Sequence, residues 1–595
     1  MPGRTRRDRT HTPLRFGVPA LVTAALLGFA GMAGLSVSAS ADPGGSADGG
    51  TAAALAAQVR AVSDPDSPEY RHFYTPAQVA KYLPTGGAGA VQVAQHLMRS
   101  ELVTAQDAVR WVVGAGQSAS SGARAAGSAA SGPPQPCSAY FGQLAASAYP
   151  TAFGAVAPFA VCGYTPAQLR SAYEVDDGTG HGATVAVVDA YGSATMPQDA
   201  NTYAVRHGDK AFSAGQYAQK VDPAAWTLQD VCGGVASWAQ EESLDIEAVH
   251  AMAPHAKVLY YGANSCQDSD LLAALTDIVR NRLADVVSAS WGSPVHSAYG
   301  DESADAMAQY DRLFQVAALE GITIDFSSGD CGANTPTSRC GGADGLGSTQ
   351  AQTVFPASDP WVTAVGGTSV AIGQDGDIER QTAWGTRAWE FSAGASTGGA
   401  GTGGAGGDDA GPGWAAKGWI YGGGGGTSAD FAEPWYQVGK VPGTVAGTLM
   451  TGTAAATPRR AVPDVALDAD PFTGMLVGQT RQLPDGTSGY AESAVGGTSL
   501  ASPLLAGLEA DAIQLGGHPL GFVNPALYEP VHSCLVRDVV APSQPTSEVF
   551  PPIPGKSAVL VTLGDDAPLL TTQGYDTATG LGSPGQDFDD RLGGA

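Results

Sequence analysis

The sequence predicts an α/β protein in which a parallel sheet is flanked by helices and preceded by a small α+β region. Two observations carry that expectation. ATVAVVDAY (183–191), AKVLYYGA (256–263), ADVVSASWG (284–292) and GITIDFSSGD (321–330) are short apolar runs that end in small or polar residues. Between them lie stretches of helical period, including DLLAALTDIVRNRL and AMAQYDRLFQVAALE. Strands buried on both faces and alternating with helices make a parallel sheet covered on both sides. Such sheets collect their active residues at the C-terminal strand ends.

From the N-terminus, the basic MPGRTRRDRTHTPLRF is followed by the apolar GVPALVTAALLGFAGMAGLSV and by SASA, which offers Ala39-x-Ala41 as a small-residue cleavage site. That order predicts a signal peptide over residues 1–41 and an exported protein. No later run is long enough to span a bilayer, so no membrane association is expected once the signal is removed. Residues 42 to about 114 read as small helices and strands: TAAALAAQVRAV, TPAQVAKYL and AVQVAQHLMRSELV. The chain then becomes AGQSASSGARAAGSAASGPPQP, a flexible linker open to proteolysis. Residues 42–136 are therefore expected to be an accessory domain with its linker, and 137–595 the main domain. A second low-complexity stretch, 394–413, reads as a surface insertion.

The 57 acidic against 30 basic residues give a net charge of −27, and hydrophobic residues make up 43% of the chain. A polyanion repels nucleic acid and anionic lipid, which removes both as partners. The seven cysteines agree with an oxidising compartment. Spacing suggests Cys331 with Cys340, Cys232 with Cys266 and Cys137 with Cys162, leaving Cys534 over. No metal-binding spacing such as CxxC occurs among them.

Two segments carry the chemistry. In QEESLDIEAVHAMAP (240–254), Glu241 and Asp245 stand four residues apart and project from one helix face, together with Leu244, Ala248, Val249, Ala251 and Met252. Two acids turned toward a core are coupled acids. Glu242 and Glu247 lie off that face and are expected to be spectators. In GGTSLASP (496–503), Ser499 opens an apolar helical run, beside helix N–H groups that stabilise developing negative charge. A serine nucleophile needs a base. GGTSLASP resembles the nucleophile segment of the subtilisin-like superfamily, where the base is a histidine in an HGTH-like motif after a strand ending in aspartate. His181 instead precedes the strand that ends in Asp189, and His250, opposite Glu241 and Asp245, has no such motif around it, so the resemblance gives neither histidine the role.

Glu241-x-x-x-Asp245, SGDCG (328–332) and GTSLASP together resemble the sedolisin family of serine-carboxyl peptidases, a branch with a subtilisin-like sheet. CGYTPAQLRSAY, VVSASWG, YGGGGGTSADFAEPWYQ, RAVPDVALDADPFTGM and GYDTATGLGSP support the likeness, and DPDSPEYRHFYTPAQVAKYL resembles the family's propeptide. The resemblance implies that Ser499 is the nucleophile and Glu241 the general base, with Asp245 sharing its proton and Asp330 helping to form the oxyanion hole. It also implies a structural calcium ion held by Asp538 and Asp576 and by carbonyls of Val539, Thr572 and Gly574. The glycine-rich pattern of that site appears here with Thr572 and Tyr575.

The expectation is thus a secreted, monomeric, acid-acting endopeptidase for protein or peptide substrates. It would be autoprocessed from a zymogen whose propeptide acts as an intramolecular inhibitor. Tripeptidyl-peptidase action on the same scaffold, a histidine-dependent subtilisin and a non-catalytic binding protein are the alternatives.

Overall fold

The computed structural model describes residues 49–83, 98–100, 103–114, 136–175, 178–338, 340, 346–393, 410–482, 486–529, 535–541, 545–553, 556–565, 569 and 571–594. The expected signal peptide, nearly all of the 115–136 linker, residues 394–409 of the glycine-rich stretch and Cys534 lie outside them. Thr51–Ala595 form one compact unit. Of the unit Met1–Gly50, only the start of the helix Gly49–Ser63 is described.

The main sheet contains β1 (Thr184–Ala190), β2 (Tyr217–Lys220), β3 (Lys257–Ala263), β4 (Val286–Ala289), β5 (Thr323–Ser327), β6 (Thr363–Ile372), β7 (Ile378–Ala383) and β8 (Val465–Asp468). Its order is 7-6-5-4-1-3-2, with β8 also paired to β6. Every pairing is parallel except that of β7 with β6. The strands β1, β4, β5 and β6 are buried along almost their whole length, the pattern of a sheet covered on both faces.

Four of these strands coincide with the apolar runs and four escape them, two of these, β2 and β6, for identifiable reasons. β2 is a half-exposed edge strand of sequence YAQK. β6 contains Gly366 and Gly367, whose places admit no side chain. A Cβ on Gly366 would lie 2.6 Å from Pro463 Cγ, and one on Gly367 2.7 Å from Ala469 Cβ. Glycines kept for close approach dilute the hydrophobic signal of a buried strand.

The helices that frame the site are α1 (Met196–Arg206), α2 (Val235–Met252), α3 (Asp268–Asn281), α4 (Ala304–Leu319) and α5 (Thr498–Gly516). α2 and α5 pack closely: a Cβ on Gly507 would stand 2.6 Å from Met252 Cβ. That contact explains the small residues spread through SLASPLLAGLEA. Disulfides join Cys137 to Cys162, Cys232 to Cys266 and Cys331 to Cys340, as spacing suggested.

The N-terminal region supplies the helix Gly49–Ser63, the short helix Pro76–Val79, the strands Arg99–Ser100 and Val103–Thr104, and the helix Ala105–Gly114. Thr75, Pro76 and Gln78 start the second helix through a bond from Thr75 N–H to Gln78 Oε1, 2.7 Å. TPAQ recurs at 165–168 with the same bond at 3.0 Å. This N-terminal helix signature was readable from sequence. Among the described residues, no helix is long and apolar enough to cross a membrane.

Candidate active site

Ser499 is the second residue of α5, and its position is set by the two glycines before it. Gly497 has φ of 112°, in the region that glycine alone adopts readily. A Cβ on Gly496 would lie 2.3 Å from the Ala469 carbonyl oxygen. The backbone these glycines admit is thus the protein's own 469–471 turn. Ser499 is fully buried, and its Oγ has no hydrogen-bond partner among the described residues.

The other three candidates gather around it. The Ser290 hydroxyl, just beyond β4, lies 3.0 Å from Asp245 Oδ1 and 3.3 Å from the Ser499 carbonyl oxygen, so its one hydrogen has the acid and the serine's backbone as alternative acceptors. Asp330, three residues beyond β5, accepts from Thr498 N–H at 2.7 Å and from Thr498 Oγ at 3.0 Å, both on Oδ1. The Gly329 N–H in turn donates to Thr498 Oγ at 3.0 Å. The residue before Ser499 is therefore clamped to the SGD turn. Because Oδ1 of Asp330 is the accepting oxygen, any proton on this carboxyl sits on Oδ2.

Glu241 and Asp245 share a buried acid cluster with Asp189, at the C-terminal end of β1. All three are fully buried. Burial, then Glu241, then Glu242 push the Asp189 carboxyl well above the usual range. Burial, then Asp189 and Glu241 do the same to Asp245, while the Ser290 hydrogen bond works in the opposite direction. Several carboxylates crowded in a dry site cannot all ionise, so they hold protons in common and titrate as a unit.

The reading of one buried face on α2 needs correction. Every residue from Glu241 to Met252 is buried, because α2 beyond its first turns lies inside the molecule. Glu242 accepts from Ser193 N–H (2.5 Å), Gln219 Nε2 (2.8 Å) and Tyr217 Oη (3.2 Å). Burial nevertheless pushes it up to about 8. Glu247 accepts from Gly478 N–H at 2.9 Å. Neither is a solvated acid, and Glu242 adds its charge to the cluster. Asp189 belongs to the cluster as well; its place at the end of an apolar strand was the available signal. Ser290 gave none, since nothing marks one serine of SASWG over the other.

The histidines stand elsewhere. His181 is exposed and precedes β1, at the opposite end of that strand from Asp189. His250 is buried against Phe212 at 4.2 Å between ring centroids, and burial lowers it to about 4.

The N-terminal region reaches the same place. Met98 N–H donates to the Cys266 carbonyl at 2.9 Å. Arg99 and Ser100 pair antiparallel with Gly292 and Trp291, next to Ser290. Val103 and Thr104 pair antiparallel with Gly496 and Val495, just before Ser499. The described parts of 98–104 therefore pair with the strand next to Ser290 and with the strand that leads into Ser499. Residues 101–102 are outside the described set.

The proposed metal ligands lie at the far C-terminal end. The pairing of Val536–Arg537 with Ser583–Pro584 brings Asp538 beside the 571–576 loop. Asp538 Oδ2 accepts from Gly574 N–H at 2.9 Å, and Asp576 Oδ2 from Thr572 N–H at 3.0 Å. Asp576 is buried, which raises it to about 6. Val539, the next residue, is also buried. Two carboxylates thus meet one short loop, each accepting from one of its N–H groups, and carboxylate oxygens are the ligand type a hard cation takes.

Comparison with known proteins agrees with this geometry. Residues 164–520, well over half the chain, match the model of the subtilase family. Kumamolisin of Bacillus sp. (strain MN-32) is 31% identical over 62% of this chain and 55% of its own length. Sedolisin of Pseudomonas sp. (strain 101) is 26% identical over 63% and 55%. Tripeptidyl-peptidase SED2 of Arthroderma otae is 26% identical over 59% and 52%. The chain thus spans about half the length of the curated relatives it matches. The solved structure of Pseudomonas sedolisin, described as a serine-carboxyl proteinase, covers 71% of this chain and 95% of its own, with 22% identity and a TM-score of 0.49. The chain belongs to the subtilase family, and within it is similar to the sedolisins.

Proposed function

We propose that this chain is the zymogen of a secreted, acid-acting serine-carboxyl endopeptidase that cleaves proteins or peptides. One observation carries the reading: a serine at a helix N-terminus and a buried carboxyl cluster meet at Ser290, while the candidate bases His181 and His250 stand elsewhere. Glu241, once ionised, takes the proton from Ser499 as it attacks a peptide carbonyl, and returns it to the leaving amine. Asp245 shares the proton of Glu241 and is positioned by Ser290. Asp330, protonated on Oδ2, donates to the oxyanion, and the first N–H groups of α5 add their dipole. One carboxyl must be charged while another keeps its proton, which sets an acid optimum.

The zymogen reading rests on residues 99–100 and 103–104, which pair beside Ser290 and just before Ser499, while Ser499 and Asp245 have no exposed surface. Asp538 and Asp576, with carbonyls of Val539, Thr572 and Gly574, would hold a calcium ion whose chemistry is structural cross-linking of the C-terminal loops. The monomeric state follows the same reading. A second reading, release of tripeptides from N-termini, is favoured by the names of several relatives.

The test is a digest of unstructured peptides at acid pH by the native chain and by Ser499→Ala. Activity lost in Ser499→Ala, with uncut zymogen accumulating, is the expected result. Maturation of that variant at the native rate refutes self-processing. The product lengths separate internal cleavage from tripeptide release.

A further inference from the structure

The N-terminal region grips the rest of the molecule at a second place, far along the chain from Ser499. Phe73 lies over Gly321 and Gly521: a Cβ on either glycine would come within 2.6 Å of its ring. Tyr74 N–H donates to the Leu319 carbonyl at 2.8 Å and so caps the end of α4. Beside them Arg71, held at φ of 59°, turns its guanidinium onto two acceptors. Nη2 donates to the Leu592 carbonyl at 3.1 Å, and Nη1 stands 3.2 Å from Nε2 of His518.

The hydrogen positions on His518 follow from its neighbours. A guanidinium only donates, so Nε2 must be the acceptor. Nδ1 stands 3.1 Å from the Pro519 carbonyl, which only accepts, so Nδ1 carries the hydrogen. The contact therefore requires a neutral imidazole. A second proton turns Nε2 into a donor facing a donor and sets a cation against a cation. Imidazole is the side chain that gains this proton as pH falls from neutral into the acid range.

We propose that His518 and Arg71 form an acid-released latch, which holds the N-terminal region on the peptidase near neutral pH and repels it in acid. The proposal rests on the zymogen reading above and supplies its trigger. The latch is part of a continuous clasp over residues 71–74, so its loss frees the segment that Phe73 and Tyr74 anchor.

Other charged groups stand on the packed elements. Tyr70 lies under the Arg71 guanidinium, with 4.9 Å from Arg71 Cζ to its ring centroid. The helix Phe588–Gly594 carries Asp589, Asp590 and Arg591, the last paired with Asp587. Asp511 on α5 is raised by burial and by Asp589. At the end of α4, burial raises Glu320 to about 7 against the pull of Arg282. Glu320 titrates in the same range as imidazole and is the necessary control.

The experiment uses the full chain carrying Ser499→Ala, so that nothing is cut. Hydrogen exchange of residues 70–74 is followed from pH 7.5 to 4, corrected for the intrinsic pH dependence of exchange. The parent is expected to lose protection on acidification, up to tenfold per pH unit for one proton. His518→Gln, which still offers an oxygen to Arg71 but gains no charge, should stay protected at least one pH unit lower. His518→Lys and Arg71→Gln should be deprotected already at pH 7.5. A His518→Gln curve that overlays the parent overturns the latch, as does a pH dependence abolished by Glu320→Gln alone. If the curves behave as expected but the native chain cleaves no peptide, the latch stands and the peptidase reading falls. If the native chain cleaves peptides and the His518 variants do not differ from the parent, only the latch falls.

Discussion

Raising the pH from 5 to 8 should destabilise this fold, and Glu242 lets the size of the effect be worked out. Glu242 and Asp511 are both fully buried, and burial pushes each up to about 8. In the unfolded chain such groups titrate near 4.3 and 3.9. Between those values and 8, the folded chain keeps protons that the unfolded chain has released. Stability then falls as pH rises, by about 1.4 kcal/mol per pH unit for each group. His250 works the other way: burial lowers it to about 4, so up to about 6.5 the unfolded chain binds its proton and the folded chain does not. For these three groups the net slope is about −1.4 kcal/mol per unit from pH 5 to 6.5 and about −2.7 from 6.5 to 8. The pair Asp325 and Glu509, both raised by burial and each facing the other across the α5–sheet contact, adds in the same direction. The assay is thermal melting of the Ser499→Ala chain across this range. Melting temperature should fall steadily toward neutrality, and Glu242→Gln should flatten the slope by one proton. A melting temperature that holds constant or rises from pH 5 to 8 refutes the reasoning.

Three further outcomes follow from the site. Ser290→Ala removes a hydrogen bond that favours charged Asp245. Bonds to charged groups contribute about 1.5–3 kcal/mol, so the acid limb of the pH–rate profile should move up by roughly one to two units. Asp330→Ala should lower kcat by about 10²–10³ if the carboxyl serves the oxyanion, with little change in KM, measured at the acid optimum. Chelation of calcium should lower the melting temperature of the native chain, and Asp576→Ala should abolish that response to chelator; a native chain indifferent to chelation removes the metal.

The local structure around the candidate residues was readable because it is built from local patterns. The four-residue spacing of Glu241 and Asp245 survives as one turn of α2, and GGTS survives as a glycine-dependent helix start. The apolar runs located four strands of the sheet, since a strand buried on both faces needs no partner in sequence to be recognised. What escaped depends on tertiary contact. Glu242 and Glu247 read as spectators off the buried face because the part of α2 from Glu241 on, buried on every side, shows no separate polar face in its sequence. Ser290 was indistinguishable from Ser288 until β4 was placed under α5, where Ser288 instead meets Ser502 at 2.9 Å. The contact of Arg71 with His518 spans 447 positions and has no local signature at all. The three disulfides were legible from spacing, whereas the strands Arg99–Ser100 and Val103–Thr104 were too short to stand out within AVQVAQHLMRSELV.

The central claim is that carboxyls do here what histidine does in other serine peptidases. Its most direct test is the pH–rate profile of the processed enzyme beside that of Glu241→Gln, prepared by cleavage with an added peptidase. The account predicts a maximum well below neutrality and loss of activity in Glu241→Gln at every pH. A maximum near pH 8, or a Glu241→Gln enzyme that retains native kcat, contradicts it.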